Sequence, residues 1–329
     1  MKEQTKLQNP AKEPPIEVWD LHDPIIIGPD RSHSENYSVL VTPPSSPLPE
    51  EYERMVRDVW SEFCAAKPNA KENQVFYLTE YRREGGKVRA VVEQRGFSYN
   101  QAFNRGNGLP KGRMVSAQHN ILPFTIMCYV LTKGEDGERD ILFGRKNSSG
   151  KGKFDDKFSL TSIAGGFANT DDLAEDKKHV DVLATVNRQI ATELGGEYLL
   201  AVERIEKIGL VYRDVLPNRG FDTSFLVYLD RDTREVVQSF EGRQQYQKGL
   251  TPCRLDPASI ETFLVENAPA FSSQAMAVAY SAIAVKYGKE EAEKLLRRIE
   301  REWGRIHILE PFLDGRVKDI LEKRRYLTE

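Results

Sequence analysis

Cysteine is scarce in this chain of 329 residues: Cys64, Cys128 and Cys253 are odd in number and far apart. Three such residues build no disulfide framework and show no metal-ligand spacing, so they read as reduced thiols of a cytoplasmic protein. Histidine is as thin. His22, His33, His119, His179 and His307 sit in unrelated contexts, and none has a second ligand at the spacing of a zinc site. No apolar run approaches the ~18 residues that span a bilayer. The start, Met1-Lys-Glu-Gln-Thr-Lys6, lacks the apolar core of a secretion signal. Basic excess is also missing: a net charge of −3 and a pI near 6.1 argue against nucleic acid as a partner. There is no Gly-x-Ser-x-Gly elbow, which removes the serine-hydrolase reading, and no internal repeat.

What is present is a globular composition, 40% hydrophobic and 29% charged, on a chain long enough for two domains. Residues 1–20 are polar and proline-rich (Pro10, Pro14, Pro15) and read as an arm. A first α+β domain is expected over 21–115. It opens with an apolar strand, Tyr37–Val41, that ends at the break Pro43–Pro49. In 50–66 the residues Tyr52, Met55, Val56, Val59, Trp60 and Phe63 recur at helical spacing and predict an amphipathic helix. Two strands, Val75–Tyr81 and Lys87–Val92, follow as a hairpin through Gly85-Gly86. The stretch Arg95–Arg113, rich in Gly, Asn and Arg, is expected to hold the boundary.

A second domain is expected over 116–255. A long apolar strand, Ile121–Leu131, turns at Gly134–Gly137 and pairs with Asp140–Lys146. Phe158–Ile163 reads as the strand entering a Gly165-Gly166 turn, and Leu199–Val211 and Phe221–Leu229 as later strands of one mixed sheet. Residues 256–329 read as a helical extension with breaks near Gly288 and Gly304.

One constellation carries chemistry. Gly166 is followed by five residues and Asp172, and Arg188-Gln-Ile-Ala-Thr-Glu-Leu-Gly195 comes later. This resembles the signature of Nudix hydrolases, in which Gly, five residues, Glu and seven residues precede Arg-Glu-apolar-any-Glu-Glu-any-Gly. Arg188, Ile190, Glu193 and Gly195 match, while Gln189 and Thr192 stand where the family has glutamates. The connection 173–187 is eight residues longer than in the family. The resemblance implies an α/β (α+β) fold, a mixed sheet sandwiched by helices, with the motif helix packed on it. It also implies Mg²⁺- or Mn²⁺-dependent cleavage of a nucleoside diphosphate linked to another group.

The residue assignments that follow from the resemblance are Glu193, Arg188 and Gln189 for catalysis, with Glu193 and Asp172 on the metal. Arg188 would orient the acids, and Gly165, Gly166, Arg145 and Arg213 would meet the ligand. Mg²⁺ needs hard oxygen ligands, normally one or two carboxylates with phosphate and water, and neutral Gln189 and Thr192 bring no charge to it. Glu175 and Asp176 in the added loop are further acids that can fill in.

At 100° per residue Val182, Leu183, Val186 and Ile190 make one apolar stripe with Glu193 at its edge. Glu193 at that rim suits either a half-sheltered metal or an ion pair with Arg188. Gly165-Gly166 suits either close approach to a diphosphate or an ordinary turn. Lys146, Lys151, Lys153 and Lys157, near Arg145, form either a phosphate-facing patch or a solvated basic loop, and Arg213 and Arg219 flank a loop with the same ambiguity. Three functions therefore compete: a Nudix-like pyrophosphohydrolase; a catalytically impaired module that binds a nucleotide or a protein partner, a homodimer included; and an interaction scaffold built on the first domain.

Overall fold

The computed structural model describes residues 16–19, 25–27, 36–44, 47–103, 122–147, 158–213, 220–240, 249–267, 271, 273–303 and 308–309. The protein is of mixed α/β class, built on two sheets. In chain order come β1 (Ile16–Trp19), β2 (Ile25–Ile27), β3 (Tyr37–Thr42), α1 (Glu50–Ala66), β4 (Gln74–Glu84), β5 (Lys87–Gly96) and α2 (Phe97–Phe103). Next are β6 (Phe124–Lys133), β7 (Arg139–Asn147), β8 (Phe158–Thr161), β9 (Ala164–Phe167) and α3 (Val182–Glu193). β10 (Val202–Arg213), β11 (Gly220–Asp232), α4 (Thr233–Ser239), β12 (Leu250–Arg254), α5 (Pro257–Asn267), α6 (Ser273–Tyr287), α7 (Lys289–Trp303) and β13 (Ile308–Leu309) complete the chain.

β6 organises the larger, ten-stranded sheet. One edge runs parallel to β11 from Phe124 to Leu131. The other edge is shared: β9 pairs antiparallel with Thr125–Cys128 and β7 with Val130–Lys133. The sheet therefore forks at Tyr129, and β4 meets the end of β9, where Val75 bridges Asn169 and the Phe76 N–H donates to the Ala168 carbonyl at 3.1 Å. β6 is buried on both faces, as a strand covered from two sides must be. Ile126, Cys128 and Val130 point into one core with Val186 and Ile190 of α3. Met127, Tyr129 and Leu131 alternate into a second core with α5, α6 and α7.

The smaller sheet has the order β3-β5-β4, with β3 and β5 parallel and β4 and β5 joined by a hairpin. Gly85 and Gly86 both take positive φ in that hairpin, the conformation a two-residue turn of matching twist requires. Phe76, Leu78, Tyr81, Val88, Ala90 and Val92 enter the same core as Phe124 and Ile126, so the two sheets are packed together rather than tethered. The helices 257–303 form the opposite cover of the larger sheet. The polar arm except for residues 16–19, the loop holding Lys151, Lys153 and Lys157, Arg219, His22, His33, His119 and His307, and the 104–113 half of the expected boundary all lie outside the described residues.

The eight added positions have a definite place. Residues 173–181 fold into a small hairpin in which Leu173 bridges Val180 and the Ala174 N–H donates to the His179 carbonyl. Its outer edge extends β3: Val180 N–H donates to Val39 O at 2.9 Å and Val41 N–H to Lys178 O at 2.8 Å. Asp176 receives a His179 ring nitrogen at 2.6 Å, which holds its carboxyl below the usual range. The insertion is thus a clasp between the small sheet and the motif helix.

Candidate functional site

Gly165 and Gly166 do not form a turn. They lie within β9, opposite Met127 and Ile126, and neither takes a positive φ. Glycine is demanded here by proximity. A Cβ on Gly165 would stand 3.0 Å from the Ile126 carbonyl and 2.6 Å from Met127 Sδ, and one on Gly166 would stand 2.8–3.1 Å from the Gln189 amide. Gly166 leaves room for the Gln189 amide of α3 against the strand, and Gly165 leaves room for Met127 and the Ile126 carbonyl of β6.

Asp172 ends a short 3-10 turn, Thr170–Asp172, capped by Asn169. Its carboxylate, 1% exposed, is fully engaged. Oδ1 accepts from Arg188 Nε at 2.7 Å, and Oδ2 accepts from Arg188 Nη2 at 2.6 Å and from the Asn169 N–H at 2.9 Å. Arg188 Nη2 also donates to the Phe167 carbonyl at 2.9 Å. This two-pronged pair pushes the Arg188 guanidinium further above its ordinary range, through the Asp172 hydrogen bonds first. Arg188 thereby ties the end of β9, the capped turn and α3 into one unit, and α3 begins under its own cap, with Asp181 accepting from the Ala184 N–H at 2.9 Å.

Gln189 is buried; with its amide oxygen and nitrogen assigned so that both find partners, Nε2 donates to the Gly165 carbonyl at 3.2 Å and Oε1 accepts from Arg188 Nη1 at 3.1 Å. A carboxylate could accept from the arginine but could not donate to the carbonyl. The neutral amide at this position is therefore matched to its surroundings. Thr192 Oγ1 donates back to the Arg188 carbonyl at 2.7 Å within the helix.

These groups form one wall of a cleft of about 690 Å³, within the range of small-molecule sites. Gly165, Gly166, Phe167, Asn169, Arg188 and Gln189 line that side. The facing wall comes from α1 and the turn after it: Trp60, Phe63, Lys67 and Lys71, with Phe97 at the floor. Among the described residues that line it there is no Asp or Glu.

The structure thus brings Gly165, Gly166, Arg188 and Gln189 together and places Asp172 behind Arg188. Glu193 ends α3 beyond the cleft lining. Arg145, on β7, turns its Nε to Thr251 on β12 and lies outside the lining. Arg213 ends β10, paired with Gly220, and its side chain and that of Lys146 are outside what is described. Sequence reasoning missed the α1 wall. The periodicity put Trp60 and Phe63 on the apolar face of an amphipathic helix, and the available signal was that their stripe continues into a lysine, Lys67.

Mg²⁺, which the resemblance implies, finds a poor donor set here. Asp172 spends both oxygens on Arg188 and Asn169, and Gln189 and Thr192 are neutral and bonded. Among the described residues no group of three or more His, Cys, Asp or Glu side chains is placed to hold a metal ion. No helix among them is long and apolar enough to cross a membrane. A scan against models of known protein families finds no match for this chain, and a search of curated proteins finds none either.

Proposed function

We propose that the chain is a Nudix-like protein whose cleft binds a nucleoside diphosphate or a related derivative, with the hydrolytic chemistry of the family impaired. The observation that carries this reading is the electrostatic make-up of the cleft. It offers Lys67 and Lys71, while the charge of Arg188 is balanced by Asp172 behind it, and it presents no carboxylate among the described residues that line it, in a chain whose net charge is −3. Such a site favours an anion directly, through charge-assisted hydrogen bonds, rather than through a bridging cation held by acids.

The partnered state of Asp172 and Gln189 supports the impaired half of the reading. Both have structural work that a metal ligand would have to abandon. Phosphoryl chemistry depends almost wholly on positioning and on neutralising developing charge, and hydrolysis with Mg²⁺ or Mn²⁺ would need a second carboxylate beside Glu193.

The test is a phosphate-release assay over nucleotide sugars, dinucleotides and ADP-ribose with Mg²⁺ or Mn²⁺, run beside calorimetric binding. Binding with little or no turnover is expected. Rapid turnover abolished by Glu193→Gln would overturn the impaired half. Absence of binding to every ligand would overturn the whole and move the function toward a protein partner or a homodimer.

A further inference from the structure

Helix α1 carries an oddity. Val56 and Val59 are its buried residues, and the same helical stripe runs on through Trp60 and Phe63 to Lys67 at the C-cap. Apolar side chains on a stripe that enters a core are normally covered by it. Trp60 and Phe63 are instead only partly buried, because the cleft opens beneath them. They stack with ring centroids 5.4 Å apart and planes 24° apart. Phe97 meets the Trp60 edge at 6.4 Å and Phe167 meets Phe97 at 5.3 Å, both edge-on. The rings brace one another from the first wall to the second, a rigid apolar shelf held open to solvent. Lys67 Nζ lies over the Phe63 ring, 5.2 Å from its centroid, and Lys71 lines the same cleft from the chain after the helix.

A partly wet aromatic face beside two cations matches a ligand that is a flat ring at one end and an anion at the other. Aromatic faces stack on any nucleobase with little sequence preference, and lysines supply the salt-dependent attraction for phosphate. We infer that the Trp60–Phe63 shelf seats the base of the bound nucleotide and that Lys67 and Lys71 meet its phosphates. Recognition would then reside in the segment 60–71 of the N-terminal sheet unit, with the Nudix-like helix serving as the rigid back wall. This rests on the reading of the cleft as a nucleotide site.

Titration calorimetry of the full chain with ADP, adenosine and inorganic pyrophosphate tests it. Trp60→Leu should weaken ADP by about tenfold or more, the ordinary worth of one stacked base, and leave pyrophosphate unchanged. Trp60→Phe, which keeps a ring, should restore most of the affinity. Lys67→Gln with Lys71→Gln should weaken ADP and pyrophosphate together, flatten the salt dependence and leave adenosine alone. Should Trp60→Leu fail to fold, quenching of indole emission by ADP in the native chain, lost in Trp60→Phe, answers the same question. ADP binding unaltered by the Trp60 and lysine changes, or quenching that survives Trp60→Phe, overturns the base seat and leaves the nucleotide site standing. No binding of any of the three ligands to the native chain overturns the nucleotide site itself.

Discussion

The two walls of the cleft use their side chains in opposite ways. On the motif-helix wall Asp172, Arg188 and Gln189 bond to one another, to Asn169 and to the carbonyls of Gly165 and Phe167. On the α1 wall Trp60 and Phe63 keep exposed ring surface, and the lysines reach solvent. A group whose bonds are already made contributes stability and shape. A group whose surface is still wet retains free energy to release on binding. The contrast separates groups that hold the form of the cleft from groups whose surface is left for contact, and it sets α1 beside the motif helix as a second wall to be tested.

The largest effect should come from removing Arg188. Breaking a buried pair leaves an uncompensated charge, at about 3–5 kcal/mol. Arg188→Ala should therefore lower the unfolding free energy in urea by about that much. Asp172→Ala should cost less, since the Arg188 side chain is 30% exposed and can turn to water while Asp172 at 1% cannot. Equal losses for both would contradict the picture of Asp172 as the buried member and Arg188 as its tether.

Next is Gln189→Glu, which places here the residue of the signature that this segment resembles. It sets a carboxylate oxygen against the Gly165 carbonyl and removes the donor that now faces it, at about 1–3 kcal/mol. The penalty should shrink as pH falls, because the protonated carboxyl regains a proton to donate, and grow as pH rises. A stabilised variant with metal-dependent hydrolysis would break the comparison outright.

A smaller effect concerns what steadies the α1 wall. Tyr99 of α2 donates to Glu53 of α1 at 2.7 Å, and burial followed by that carboxylate pushes its phenol from 10.0 up to about 12. The native state keeps the phenol neutral while the unfolded chain ionises it. The associated stability is thus complete below pH 10 and lost as pH climbs to about 12. After allowance for solvent screening the loss is about 1 kcal/mol. Alkaline denaturation of Tyr99→Phe should lack this component, and an unchanged profile would count against it.

Much of the frame was legible because it rests on local periodicity. The continuous apolar run of β6, buried on both faces, the burial of Val182, Val186 and Ile190 on one helix face, and the α1 amphipathicity all appear as patterns along the chain. Asp172 and Arg188 were singled out by residue type and by their places after Gly166 and before Gly195, although the connection between them is eight residues longer than the signature has. The glycines were misplaced as a turn because what requires them, the Ile126 carbonyl, Met127 and the Gln189 amide, is distant in sequence. The clasp of 173–181 on β3 runs through backbone hydrogen bonds, which leave no trace in side-chain identity. Trp60 and Phe63 belong to one continuous apolar stripe with Val56 and Val59, and only the packing of the second sheet decides that its last turn opens on a cleft.

The central claim is that an anionic nucleotide is held by the cleft directly, without a metal carried on the motif helix. Calorimetric titration of the native chain with ADP-ribose, in EDTA and again in Mg²⁺, tests it most directly. Saturable binding in EDTA with an affinity close to that in Mg²⁺, and a strong fall with added salt, is the predicted result. Binding that appears only with Mg²⁺ and vanishes in Glu193→Gln would contradict it.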